Sequence, residues 1–161
     1  MDHMKTDALF SPDRLHRYAL WRTWDASKPT AMFVCLNPST ADEVKNDPTV
    51  TRCIRYAREW GYGRFIMANI FAYRATDPTV MKAFPDPIGP ENDAWLRRLG
   101  DESALIVAAW GNHGAFMERG RAVAAMFPKL VALKVNKSGH PSHPLYLRAD
   151  LKPQPFQMNK G

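Results

Sequence analysis

Along this chain, short apolar runs alternate with segments whose apolar residues recur at helical spacing. Residues 31–36, 65–71, 104–110 and 130–135 are the apolar runs, continuous at 31–36 and 104–110 and broken by Asn69 and Lys134 in the other two. Such runs mark strands covered on both faces. Arg17-Tyr18-Ala19-Leu20-Trp21-Arg22-Thr23-Trp24 instead alternates polar and apolar, as a half-buried strand does. Residues 25–29 then turn the chain. Between the first two runs lies a helix with a clear start, where Asp47 can cap and Pro48 suits the first helical position. Val50, Cys53, Ile54, Ala57 and Trp60 form its apolar stripe, with Arg52, Arg55 and Arg58 off it, and Gly61 ends it. A short helix over about 90–99 presents Trp95, Leu96 and Leu99, and Phe116, Val123 and Phe127 mark another.

Strands alternating with helices predict an α/β domain. The expected form is a three-layer αβα fold with a central, mainly parallel four-stranded sheet and an N-terminal edge strand. One domain spans 14–150. Residues 1–13 read as a loose lead-in, and the polar, proline-bearing stretch 151–161 as a surface tail.

Composition narrows the class. The 161 residues suffice for one sizeable core, and 45% hydrophobic with 24% charged is ordinary for a globular protein. A net charge of +6 favours an anionic partner such as nucleic acid or a nucleotide. Cys35 and Cys53 are the only cysteines, too few for a zinc ribbon or an iron-sulfur cluster, and both fall at apolar positions. That pattern, with no membrane-length apolar run and no signal-peptide core, predicts a cytoplasmic protein. No cofactor is implied, and oligomeric state is not legible.

Candidate chemistry sits just after the apolar runs, where open α/β sheets bind ligands. Asn37-Pro38-Ser39 follows the first run. Asn37 can orient a water or donate to a ligand carbonyl, and Asn-Pro is equally a turn dipeptide. Asn69 lies inside a strand, where its amide needs a partner, whether structural or a ligand edge. Arg74 suits either a phosphate or solvent. Trp110-Gly111-Asn112-His113 ends the third run; Trp110 also fits core packing, Gly111 permits close backbone approach, and His113 reads as a cap or surface residue. His140 and His143 lie in a proline-stiffened loop suited to a preorganised donor. No acidic or cysteine partner near them suggests a metal.

Taken in order, these loops resemble the uracil-DNA glycosylase superfamily over residues 31–148. Cys35-Leu36-Asn37-Pro38-Ser39 is similar to the Gly-Ile-Asn-Pro-Gly motif of its mismatch-specific branch. The segment from Asn69 to Arg74 resembles its second-strand Asn-to-Arg segment. Trp110-Gly111-Asn112-His113 resembles a Trp-Gly-Ser-His strand end, and His140-Pro141-Ser142-His143-Pro144-Leu145 a His-Pro-Ser-Pro-Leu loop. More specific is the likeness to a bacterial and phage family of unknown function. Its Leu-Asn-Pro-Ser-Thr-Ala-Asp, Asn-Asp-Pro-Thr, Trp-Gly-Tyr, Gly-Pro-Glu-Asn-Asp and His-Pro-Leu-Tyr motifs all occur, from Leu36 through Tyr146.

The superfamily resemblance implies an N-glycosylase acting on an unusual or modified base in nucleic acid. His143, or alternatively His140, resembles the donor to the leaving base, with His143 favoured by its Pro-Leu-Tyr sequel. Asn37 resembles the group that aims water, although the uracil-specific branch has Asp there. Asn69 resembles the reader of a flipped base. Phe71, Tyr73 or Tyr146 would stack on that base, and Leu145 would act as a wedge. Pro38, Ser39, Gly111 and Asn112 would complete the walls. Asp42, Glu43 and Asp47 oppose phosphate binding there. The alternatives are a non-catalytic nucleic-acid or nucleotide-binding module, or a hydrolase of a free modified nucleotide.

Overall fold

A computed structural model describes residues 4–158. In chain order the elements are β1 (Lys5–Phe10), β2 (Arg17–Thr23), β3 (Thr30–Cys35), α1 (Pro48–Glu59), β4 (Arg64–Asn69), α2 (Pro78–Ala83) and α3 (Asn92–Asp101). There follow β5 (Leu105–Ala108), a 3₁₀ stretch (Asn112–Glu118), α4 (Arg119–Ala124), β6 (Leu130–Ala132) and β7 (Gln154–Phe156). All seven strands form one sheet in the order β1-β2-β4-β3-β5-β6-β7.

The fold is α/β, but the sheet is mixed and seven-stranded, which corrects the expected four-stranded sheet with a single edge strand. The four apolar runs lie side by side as the parallel strands β4, β3, β5 and β6. Antiparallel strands extend them at both ends. β2 pairs β4 and β1 pairs β2 on one side; β7 pairs β6 on the other. The expected lead-in and tail therefore supply strands that cover what would otherwise be bare sheet edges. The three residues of β7 and the polar face of β1 carry too little apolar signal to be read as strands from sequence.

Side-chain alternation along the strands builds two cores. Met32, Val34, Ile66 and Ala68 pack with Leu96, Leu99 and Val123 of α3 and α4. Ala31, Phe33, Cys35, Phe65 and Met67 pack with Val50, Cys53, Ile54 and Ala57 of α1. Helices thus lie on both faces. α1 starts as its sequence predicts: the Asp47 carboxylate accepts the Val50 N–H at 2.9 Å, and Pro48 opens the first turn.

β2 departs from its pattern. Arg17 and Arg22 are polar positions of a strand expected to be half-buried, yet both are fully buried. β1 and β4 flank β2, and the 41–47 loop folds over it. Each guanidinium donates to carbonyls of that loop: Arg17 to Ala41 at 2.9 Å, Arg22 to Asp42 and Lys45 at 2.7 and 2.9 Å. The loop thus hangs on two arginines from a neighbouring strand.

Candidate functional site

In the parallel part of the sheet, the chain moves from β3 to β4 on one side, then crosses back to β5 on the other. The reversal lies between the C-terminal ends of β3 and β5, where open α/β sheets place ligand crevices. A cavity of about 650 Å³ opens there. Asn37 comes from the end of β3, Trp110 and Gly111 from the end of β5, and His143 and Leu145 from the loop after β6. Ser39, Thr40, Asn112 and His113 stand at its walls. Residues more than 100 positions apart in sequence are thereby brought to one site.

The local bonds decide what each group presents. Asn37 donates its amide nitrogen to the Ala75 carbonyl at 2.7 Å and to the Pro38 carbonyl at 3.2 Å. Among the described residues its Oδ1 accepts no hydrogen bond, which leaves it as a free acceptor. The Pro38 carbonyl in turn accepts the Ala75 N–H at 2.9 Å, and the Ser39 and Thr76 hydroxyls meet at 3.3 Å. These contacts fasten the first loop to the segment after β4.

His143 accepts the Leu145 N–H on Nδ1 at 3.2 Å. In the neutral ring the proton therefore sits on Nε2, making that nitrogen a donor. Burial pulls the His143 pKa below its ordinary value, while the nearby Asp47 charge works the other way. The ring is thus held as a neutral donor at neutral pH. Gly111 locks this loop to β5. Its N–H donates to the Pro141 carbonyl at 2.8 Å, and its φ of +75° suits glycine. A Cβ there would lie 3.6 Å from the His143 Cβ.

His140 is placed differently. It does not line the cavity; its Nδ1 accepts from Trp110 Nε1 at 3.2 Å. Gly114 and Gly120 press on this pair, and a Cβ on Gly114 would come within 2.2 Å of Trp110 Cδ1. His140 fixes Trp110 from behind, and of the two histidines only His143 faces the cavity.

Six other expected residues also lie outside it, among them Pro38, which is not one of the lining residues and whose carbonyl is taken up by the Ala75 N–H. Asn69 is 1% exposed; its Oδ1 accepts from Arg17 at 3.4 Å and its carbonyl from Asn92 at 2.9 Å. Phe71 is core, packed against Phe116 at 5.6 Å between ring centres. Arg74 donates to the Arg14 carbonyl at 3.2 Å and sits over the Phe10 ring. Tyr146 is 97% exposed at a φ of +69°. Leu145 turns into the cavity, so the residue projecting from this loop is Tyr146 and not the expected wedge. Tyr73, the third stacking candidate, stacks on Phe84 with centroids 3.8 Å apart. The loop is pinned to α1: Arg52 donates to the Leu147 carbonyl, Tyr56 to that of Arg148 at 2.6 Å and Trp60 to that of Leu151 at 3.0 Å.

The cavity also holds two charged groups, one of them expected near it and one not. Arg17 and Asp47 line it, with Cys35 and Met67 beside them. Asp47 has a sequence signal, as a helix cap, and that cap is what brings its carboxylate to the cavity. Arg17 has none, because its burial depends on strands pairing on both sides of β2. Among the described residues, no group of three or more His, Cys, Asp or Glu is arranged to hold a metal ion. No helix among them is long and apolar enough to cross a membrane.

No curated protein and no solved structure matches the chain. A family model does match, from Arg17 to Leu145, and so takes in β2 through the loop that carries His143. The chain belongs to that family, described as Protein of unknown function (DUF1643).

Proposed function

We propose that this protein is an N-glycosylase-like hydrolase that takes an unusual or modified base of nucleic acid into the crevice between β3 and β5. The reading rests on motif likeness to the uracil-DNA glycosylase superfamily, and the observation that carries it is a pairing of roles in one cavity. His143 offers a neutral Nε2–H donor, and Asn37 offers a free acceptor oxygen.

Breaking a C1′–N bond sends both bonding electrons onto the base and leaves an oxocarbenium-like sugar. His143 Nε2–H would stabilise the charge growing on a base oxygen, as a fixed donor that needs no reorganisation. A neutral donor suits this step, because it stays put and gives up no proton. Asn37 Oδ1 would accept a hydrogen bond from the attacking water and aim its oxygen at C1′. The net reaction adds water across the bond, with hydroxyl on the sugar and the proton on the base nitrogen. Asn37 cannot take that proton itself. Asp47 is the carboxylate of the cavity, and both its oxygens already accept backbone N–H groups, from Val50 and Ala41.

Mass spectrometry of bases released from DNA and RNA carrying varied modified bases tests the reading. Release of one base class, abolished by His143→Ala, supports it. Salt-dependent oligonucleotide binding with no base released would favour the non-catalytic module instead.

A further inference from the structure

Two buried arginines on β2 serve as controls for each other. Both hold the 41–47 loop through its carbonyls, and both are fully buried. Arg22 is satisfied throughout. Its Nε donates to Asn46 Oδ1 at 2.7 Å, Nη1 to the Trp21 and Asp7 carbonyls at 2.8 and 3.2 Å, and Nη2 to those of Asp42 and Lys45. Arg17 is not. One nitrogen donates to the Ala41 carbonyl. Another reaches only the Met67 sulfur at 3.2 Å and Asn69 Oδ1 at 3.4 Å. Its Nε has no partner, and neither does the amide nitrogen of Asn69 beside it.

Arg17 is therefore a buried cation whose contacts are all neutral. Such a charge is costly unless something compensates it. Asp47 lies near enough to favour the charged form, but its oxygens are bonded to Val50 and Ala41. Burial lowers the Arg17 pKa to about 10, which leaves the group charged at neutral pH. Arg22 faces the loop, whereas Arg17 is the arginine that lines the cavity. The arginine with the unpartnered, buried Nε is thus the one that borders the space a ligand would occupy.

We infer that Arg17 receives an oxyanion of the ligand, a carboxylate or phosphate oxygen on the same molecule that presents its base to His143. Nε–H would donate to that oxygen, and the ligand's charge would complete the pair that the fold leaves open. The inference rests on the base-binding reading for what the rest of the molecule is. It goes beyond that reading by requiring an acidic group at the cavity floor, a position that an uncharged base cannot fill.

The test is calorimetric titration of the intact protein with matched probes: nucleosides against their 5′-monophosphates, uracil against its carboxylate-bearing analogue orotic acid, and inorganic phosphate alone. The expected result is that one anionic series binds at least tenfold tighter than its uncharged parent, in line with a charge-assisted hydrogen bond. Which series shows the preference tells phosphate from carboxylate. Arg17→Gln should erase the preference while leaving affinity for the uncharged parent in place, a split that a purely structural role would not give. Arg17→Lys should keep part of it. The wild-type preference decides the matter even where Arg17→Gln fails to fold. Equal binding of charged and uncharged probes, or no binding of any anion at millimolar concentration, overturns the inference. If uncharged nucleosides bind without preference, the base reading survives alone. If phosphate binds and no base-bearing probe does, the Arg17 assignment survives and the base reading falls.

Discussion

Replacing Arg22 with Met removes the clamp that holds the acidic loop to the sheet, and the structure sets the size of the effect. The guanidinium makes five hydrogen bonds, four of them to backbone carbonyls, and none of the side chain is exposed. Met fills similar volume but donates nothing. The carbonyls of Asp42 and Lys45 can turn to water if the loop lifts, whereas those of Asp7 and Trp21 belong to paired strands and cannot. Removal also relieves the desolvation of the cation, which burial already disfavours. The net loss should then fall near that for breaking one side of a buried charged network, about 3–5 kcal/mol. That is a large share of a typical stability of about 5–15 kcal/mol. For a chain of this size it corresponds to a fall in Tm of about 6–20 °C. Urea unfolding followed by circular dichroism measures it, and the midpoint should drop with the slope unchanged. The site should also suffer, because the loop carries Asp47 to the cavity. A loss under about 1 kcal/mol would refute the reasoning, and would mean that the loop keeps its place without the arginine.

Gly114→Ala should destabilise by about 1–3 kcal/mol, since a Cβ would lie 2.2 Å from the buried Trp110 ring; thermal melting checks it, and wild-type stability would deny the contact. Tyr146→Ala should change stability by less than about 0.5 kcal/mol, the ring being 97% exposed, while weakening binding to oligonucleotides in fluorescence anisotropy. Burial depresses the pKa of both His140 and His143, so below about pH 6.5 the unfolded chain takes up protons that the folded one does not. Stability is then fully present above that pH and is lost as pH falls through the folded values. Urea midpoints between pH 7.5 and 5 should drop, and should drop less in His143→Gln. Asn37→Ala should slow base release in single-turnover assays while leaving the melting temperature within a few degrees, because it unaims the water without emptying the core.

Much of the fold was legible because buried parallel strands announce themselves. The runs around Phe33 and Val107 are apolar without interruption, that around Ile66 is broken only by Asn69, and Asp47-Pro48 marks the start of α1 as plainly as a sequence can. The outer strands were hidden for the opposite reason. β7 is three residues long and contains Pro155, and β1 begins Lys-Thr-Asp, so neither shows a period. The convergence of Asn37, Trp110 and His143 followed from their shared place after strands. Arg17 was invisible, because an arginine at the start of an alternating strand reads as solvent-facing until a loop 24 residues on closes over it. In sequence only the Pro-Leu-Tyr sequel favours His143 over His140. The Trp110 indole N–H, which bonds His140, separates them in space.

Single-turnover base release tests most directly whether His143 acts as a donor to a leaving base. The assay compares wild type with His143→Ala on whichever modified substrate wild type cleaves, with affinity measured on the same substrate. His143→Ala should lower the rate by about a hundredfold or more, since one lost preorganised donor has that effect. Affinity should change far less, because the charge that His143 serves develops only in the transition state. Equal rates in the two proteins, or equal losses in rate and affinity, would contradict the assignment of His143 to the chemical step.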